Sequence, residues 1–569
     1  MATVAEAMAG FLARHGVELV VGQSLPSAFH LAVADTAMRQ IQVRTENAGT
    51  AICDGYARLS KRVAVMTAQN GPAATLLVPG LAEALKASIP IVAIVQDVPA
   101  SQRDRNAFQE YDHQLLFASC AKWVRRLDAS ERVYDYVNLA LTQATSGRPG
   151  PVVLLVAQDV LLEEAPPAPA ILQCRATFPL DRAIADPRQI DQAASLIAAA
   201  ERPLVVAGGG AHLSGAGPEL VRLQEDFDVP VATTIMGKGV VDEAHPLSLG
   251  VVGYLLGKTA PNRAQRAYCE TADVVFFVGA RTNQNGTDSW TLFDPASRFI
   301  HLDIDGCEIG RNYESLRLAG DAKLTLVSLM EALRRTGCSP DRDRRERLQP
   351  LLARGEILSP VESKAAGLRP ESVVAAVNER LGPGDVFVAD ASYSSGWMAA
   401  FGRAGAPDCR FLSPRGMAGL GWGLPYMLGA KLARPDARVI GLTGDGGFAH
   451  VWSELETARR HDIAAVCIVL KNGVLGYQRD AELVKFGRHT NAIPLGEIDH
   501  AAIARACRCV GLSVDHPEQL DSALDEALAA QTVAVLDVRT DPAAYPPVTL
   551  LDALTAEEES TRNRVPERA

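Results

Sequence analysis

Short, apolar, β-branched runs, each bounded by turn residues and followed by a helix-like segment, constrain this chain more than any other feature. They include VAVMTA (63–68), PIVAIVQ (90–96), PVVLLV (151–156), PLVVAGGG (203–210), VVFFVGA (274–280) and FIHLDI (299–304). VFVAD (386–390), RVIGLTGDG (438–446), AAVCIVLKN (464–472) and VAVLDVRT (533–540) continue the series. A strand with one wet face alternates apolar and polar residues, whereas a run that is apolar throughout is covered on both faces. Alternation of such runs with helices is the pattern of parallel sheets joined by crossover helices. The fold class is therefore α/β, with doubly wound parallel sheets. At 569 residues the chain exceeds the roughly 250–300 that one core organises, so three sheets are expected.

Two breaks divide the runs. The segment EEAPPAPAILQ (163–173) is rich in Pro and Ala and reads as a linker. The stretch 339–364 carries the charged run DRDRRERLQ and precedes a fresh helix start at PESVVAAV. Domains are expected over 1–165, 185–335 and 365–545, followed by a polar tail at 552–569. The opening MATVAEAMAGFLARHGVELV reads as an amphipathic helix entering a strand, without the features of a secretory signal. No apolar stretch reaches the about 18 residues that span a bilayer, so no membrane role is expected. A formal net charge of −11 lacks the basic footprint of a nucleic-acid binder. The ten cysteines are scattered and none has the spacing of a zinc site, so buried, reduced thiols in a cytoplasmic protein are expected.

The last group of runs carries the chemistry. RVIGLTGDGGF ends in Gly444-Asp445-Gly446-Gly447, and AAVCIVLKNG ends at Asn472. In a parallel sheet both ends lie on the carboxyl edge, where α/β proteins bind ligands. Glycines let the backbone approach an anion, and a helix over HVWSELETARR would turn its N-terminal amides toward phosphate. A carboxylate and an amide oxygen are hard donors suited to magnesium, and diphosphate oxygens, a water and a main-chain carbonyl would complete its shell. GDGG alone is as well read as a tight turn. The asparagine ending the next strand tips the reading toward a metal–diphosphate site. In the first group, Glu46 stands in VRTENAGTAICDGYAR between a short strand and a helix start. A lone glutamate there usually only complements the helix dipole.

Taken together, GDG…N and Glu46 followed by Gly55-Tyr56-Ala57-Arg58 resemble the signature of thiamine-diphosphate enzymes, in particular their acetolactate-synthase-like branch. AQNGPAAT…GLAEALKASIPIVAI (68–94), NAFQEYDH (106–113), GRPGPVVL (147–154), HLDIDGCEIGRN (301–312) and AGLGWGLPYMLGA (418–430) extend the resemblance over nearly the whole chain. It implies pyrimidine-binding, central and diphosphate-binding domains. It also implies a homodimer or homotetramer whose cofactor sits between the first domain of one subunit and the third of another. The implied cofactors are thiamine diphosphate and Mg2+, with Asp445, Asn472 and the Val474 carbonyl as metal ligands. Glu46 is implied as the carboxyl that makes the cofactor's 4′-amino group basic, a role requiring a partly desolvated group with a raised pKa. Leu420 is implied as the apolar wedge that bends the cofactor, the Ala418 carbonyl as an acceptor from its 4′-amino group, and Tyr393 and Ser394 as diphosphate contacts. Gly444, Gly446, Gly447, Leu475, Gly476, Tyr477 and Gln23 complete the expected cofactor-binding set.

Gln23, Gln69, Asn70 and Gln109 are expected on the substrate side, with Gln69 and Gln109 as catalytic candidates. Gln109 matches a substrate-facing glutamine of acetolactate-synthase-like and benzaldehyde-lyase-like enzymes. Gln69 stands where several simple decarboxylases carry histidine, which favours carboligation over protonation. Two departures place the substrate cavity in question. Acetolactate synthases have a tryptophan where this chain has Ala481, and Tyr477 replaces a methionine. In the central domain AGGGAH (207–212), GARTN (279–283) and DIDG (303–306) resemble nucleotide-binding edges that hold FAD or ADP in some relatives and nothing in others. The expected activity is a carboligase or lyase working next to a carbonyl, by decarboxylation of a 2-ketoacid, with a 2-ketoacid, aldehyde or acyl-CoA as substrate. Rival readings are a 2-hydroxyacyl-CoA lyase, a simple 2-ketoacid decarboxylase and a catalytically idle binding homologue.

Overall fold

The computed structural model describes residues 2–339, 345–346, 349–350, 367–405 and 408–554. Most of the charged stretch 339–364 and of the expected tail 552–569 lies outside the described residues. Three six-stranded sheets, parallel throughout, carry the chain. The first contains β1 (Leu19–Gly22), β2 (Arg39–Gln42), β3 (Ala64–Ala68), β4 (Ile91–Asp97), β5 (Trp123–Leu127) and β6 (Val152–Ala157), in the order β2-β1-β3-β4-β6-β5. The second contains β7 (Pro203–Ala207), β8 (Val231–Thr233), β9 (Ser248–Val251), β10 (Val274–Val278), β11 (Arg298–Asp303) and β12 (Ser315–Ala319), in the order β12-β11-β10-β7-β8-β9. The third contains β13 (Val386–Ala389), β14 (Arg410–Leu412), β15 (Val439–Gly444), β16 (Val466–Lys471), β17 (Val510–Val514) and β18 (Ala534–Arg539), in the order β14-β13-β15-β16-β18-β17.

The first and third sheets therefore share one topology, and the middle sheet has the strand order of a dinucleotide-binding fold. In each, the chain reverses its direction of winding at one point. That point lies between β1 and β3, between β7 and β10, and between β13 and β15. A crevice opens there at the carboxyl ends of the strands. Every apolar run named above is a strand, and β4 and β6 are buried along their whole length. The edge strands β5, β12 and β17 are partly exposed and carry polar residues, so they lack the continuous apolar signal. Among the described residues no helix is long and apolar enough to cross a membrane. All ten cysteines are free thiols. Cys174 and Cys307 are exposed and Cys338 and Cys507 half-buried, so the expectation of buried thiols holds for the other six only.

The first and third domains dock through two helices, Glu46–Ser60 and Gly423–Ala433. Their backbones come so close that a Cβ on Gly55 would lie 2.8 Å from the Tyr426 carbonyl, and one on Gly429 would lie 2.2 Å from the Ile52 carbonyl. The glycine of the GYAR segment thus serves helix packing. Gly429→Ala is expected to lower stability by about 1–3 kcal/mol, because the extra methyl forces the helices apart. Thermal unfolding would register the loss, and an unchanged melting temperature would refute this account of the helix pair.

Candidate active site

At the switch point of the third sheet, strand ends and loops enclose a cavity of about 630 Å³. Its walls include Tyr393, Ser394, Ala418, Leu420, Gly444, Asp445, Gly446, Gly447, Asn472, Val474, Leu475, Gly476 and Tyr477. Every third-domain residue expected from the sequence to bind cofactor or metal is in this set. The Asp445 carboxylate, nearly buried, accepts from Gly446 N (2.9 Å), Asn472 N (3.2 Å) and Gly473 N (2.8 Å). It thereby pins the end of β15 to the end of β16. Burial raises its pKa, so a cation would find a carboxyl whose charge is under-compensated. The Asn472 amide oxygen accepts from Val474 N (3.1 Å), and Leu475 N and Leu495 N tie the loop to residues 493–495. Asp445, Asn472 and Val474 line one cavity, and a carboxylate, an amide oxygen and a main-chain carbonyl would be a donor set that fits magnesium. Among the described residues no group of three His, Cys, Asp or Glu side chains could hold a metal instead.

One sequence expectation changes. The helix read over HVWSELETARR starts at Glu454, and the amides beside the strand end belong to a single turn, Asp445–Phe448. Glu454, the first residue of that helix, is fully buried and turned toward the first domain. Its carboxylate accepts from Arg44 N (3.2 Å) and Thr45 N (3.0 Å), immediately before Glu46, and from Thr457 Oγ1 (2.6 Å). A reciprocal contact runs the other way. Glu83 of the first domain accepts from Gly416 N (2.7 Å) and Ala418 N (3.3 Å) of the third, and lies 3.6 Å from Arg58. Each domain therefore lends a buried carboxylate to the backbone of the other's expected cofactor segment.

Asp390, at the end of β13, is a third buried carboxylate, this one serving its own domain. It accepts from Ala391 N (2.9 Å), Gly421 N (2.9 Å), Trp422 N (3.1 Å) and Thr443 Oγ1 (3.1 Å), fixing the loop that carries Ala418 and Leu420. The sequence reading passed over Asp390, Glu83 and Glu454. An acid closing the apolar run VFVAD was the one available signal, because a carboxylate there must find donors. Ala418 itself has φ +60°, which explains why glycine suits this position. Leu420 stays 40% exposed, an apolar side chain left open to the cavity. Tyr393 donates to the buried Asp480 (2.6 Å), and its ring meets Tyr477 edge-on at 5.9 Å. Ala481 is buried and does not line the cavity.

The first-domain candidates lie elsewhere in the chain. Glu46 is 6% exposed, and burial raises its pKa. Gln23 is exposed and donates to the Arg44 carbonyl (3.1 Å), just before Glu46. Gln69 and Asn70 line a separate cavity of about 420 Å³ beside Gln96, Asp97 and the exposed Phe108. Gln109 has φ +62° and sits against Gly71, with its Oε1 buried and without a hydrogen-bond partner among the described residues. Behind them Gly71 N donates to His113 Nε2 (2.9 Å), and His113 Nδ1 is 3.3 Å from Asp97. None of Glu46, Gln23, Gln69 and Gln109 lines the third-domain cavity of the same chain.

The central crevice is lined by Gly208, Gly209, Gly210, Gly279, Arg281 and Asp303, among others. A Cβ on Gly208 would lie 2.4 Å from the Gly279 carbonyl, so the contact of these two turns accounts for the glycine without a ligand. Burial lowers the Arg281 pKa, and burial raises that of Asp303 to about 6.

Comparison with known proteins identifies each of the three domains. Residues 2–116 match the thiamine pyrophosphate enzyme N-terminal TPP binding domain, 190–329 the central domain and 390–538 the C-terminal TPP binding domain. The chain is 34% identical to a probable acetolactate synthase large subunit of Methanocaldococcus jannaschii, over 95% of this chain and 92% of that protein. It is 32% identical to an acetolactate synthase of Arthrospira platensis, over 96% of both. With the acetolactate synthase isozyme 3 large subunit of Escherichia coli it shares 29%, over 86% of this chain and 85% of that one. Three matched domains in order, on three sheets of the expected kind, leave one conclusion: the chain belongs to the thiamine-pyrophosphate-dependent, acetolactate-synthase-like enzymes, a family of carboligases.

Proposed function

We propose that this protein is a magnesium- and thiamine-diphosphate-dependent carboligase that decarboxylates a 2-ketoacid and joins the remaining carbons to a second carbonyl compound. The observation that carries the reading is the meeting of the Asp445 carboxylate, the Asn472 amide and the Val474 segment on one cavity wall, with Ala418 and Leu420 lining the same cavity. Asp445, Asn472 and the Val474 carbonyl would hold the metal. Gly444, Gly446, Gly447, Tyr393, Ser394, Leu475 and Gly476 would surround the diphosphate, and Leu420 would pack against the cofactor. When bound, thiamine diphosphate would supply carbanion chemistry at a carbonyl carbon. Glu46 holds the proton that keeps the cofactor's aminopyrimidine basic, and burial suits it to that task.

Because Glu46, Gln23, Gln69 and Gln109 do not line the cavity of their own chain, we assign each active site to two subunits, in a homodimer or homotetramer. Gln69 and Gln109 then face the substrate from one subunit and Tyr477 from the other. The domains run over about 1–165, 185–335 and 365–545 by this reading. An anionic nucleotide, FAD or ADP, suits the cationic Arg281 in the central crevice, and mass spectrometry of the purified protein would detect it. Free thiols agree with a cytoplasmic setting.

The names of the relatives make pyruvate the first substrate to try. Purified protein loaded with thiamine diphosphate and Mg2+ is expected to release carbon dioxide from pyruvate and form acetolactate or acetoin, and to lose this activity on chelation. A protein that neither retains thiamine diphosphate nor turns over any 2-ketoacid would sink the reading.

A further inference from the structure

The cavity of the third domain and the crevice of the central domain share three wall residues, Tyr254, Asn285 and Arg415. The two spaces therefore meet at a throat. Arg415 follows β14 and the buried pair Ser413-Pro414, so its backbone is anchored while its side chain reaches into the throat. Its guanidinium donates to Tyr254 OH (3.1 Å) and Ser395 Oγ (3.1 Å), and stands 5.7 Å from the Tyr254 ring centre. Tyr254 is in turn set by its amide, which donates to the Asn285 carbonyl (2.9 Å). Neither partner of Arg415 is an acid, and no carboxylate pairs with it among the described residues. Two neutral hydroxyls hold the fork in place but leave its charge uncompensated inside a cavity. A planar fork in that state is suited to a carboxylate.

Chemistry decides which carboxylate. A 2-ketoacid donor loses its charge as carbon dioxide departs, so an arginine on that group would stabilise the ground state more than the transition state. The carboxylate of an acceptor keeps its charge throughout, and gripping it carries no such penalty. We propose that Arg415 is the receptor for the acceptor's carboxylate, a specificity-determining residue that makes a second 2-ketoacid, in preference to a neutral aldehyde, the acceptor. This rests on the carboligase reading above. Tyr254 and Ser395 are positioning residues for the fork.

Two measurements test it. Two pyruvates and a proton give acetolactate and carbon dioxide, whereas pyruvate, acetaldehyde and a proton give acetoin and carbon dioxide. With pyruvate and acetaldehyde in competition on the loaded enzyme, Arg415→Met is expected to lower the acetolactate-to-acetoin ratio about tenfold or more. Arg415→Lys should recover part of it, and Tyr254→Phe should show a smaller fall. The second measurement needs no turnover. Calorimetric binding of oxamate, an unreactive carboxylate, is compared with that of its neutral isostere oxamide, with and without cofactor. Arg415→Met is expected to lower the oxamate-to-oxamide affinity ratio by a similar factor, with circular dichroism confirming the fold. An unchanged ratio in either measurement, or no oxamate binding by the unmodified protein, overturns the proposal. Failure to retain thiamine diphosphate, read by mass spectrometry, would instead count against the carboligase reading.

Discussion

Glu46→Gln is expected to lower turnover by about 100- to 10,000-fold while the protein still folds and binds its cofactor. The carboxyl is 6% exposed, and desolvation is the main reason its pKa rises. A group so placed gains by sharing a proton with a neighbouring ring nitrogen, and glutamine cannot accept that proton. The same burial makes a second, opposite prediction for the protein without cofactor. A carboxyl whose folded pKa is raised binds more protons in the folded than in the unfolded state, between its ordinary and its raised value. Stability is therefore held below the ordinary carboxylate range and lost as pH rises through the raised value. Glutamine carries no such penalty. Cofactor-free Glu46→Gln should melt above the unmodified protein at neutral pH, with the gap closing as the buffer is acidified. Lower activity together with a higher cofactor-free melting temperature is the signature. Unchanged turnover would remove Glu46 from the catalytic role.

Much of this was legible because the signals are local. Runs such as PVVLLV and VVFFVGA name buried parallel strands directly, since every side chain is covered. Asp445 and Asn472 end neighbouring strands of one sheet, and a parallel register brings such ends together whatever the intervening loop does. The edge strands stayed faint because half of each faces solvent, as β5 with its two arginines shows. Least visible were the carboxylates that act at a distance. Glu83 serves Gly416, and Glu454 serves Arg44, across domains, and no periodicity links residues so far apart in the chain. Arg415 falls in the same class. Its meaning comes from a throat formed by two domains, and the residue by itself looks like an ordinary loop cation.

Asp445→Ala is expected to weaken thiamine-diphosphate binding in the presence of Mg2+ by more than about 100-fold, since partners of metal ligands alone are worth roughly 10- to 100-fold. On the proposed reading the side chain has two jobs. One would be to give the metal an anionic oxygen. The other is to accept three main-chain N–H groups, from Gly446, Asn472 and Gly473, which hold the two strand ends in register for the remaining ligands. Alanine removes both and leaves those N–H groups to water or to nothing. Asp445→Asn separates the jobs. Its amide keeps one acceptor oxygen for the loop, but it brings no charge to a divalent cation, so cofactor affinity should still fall while thermal stability falls less. Asn472→Ala should sit between them, because besides the metal it is proposed to hold, its oxygen orders only Val474 N. Titration of cofactor at several Mg2+ concentrations reads the difference. The metal dependence of binding should flatten in Asp445→Ala, and a titration that keeps the unmodified protein's Mg2+ response would show that the metal sits elsewhere.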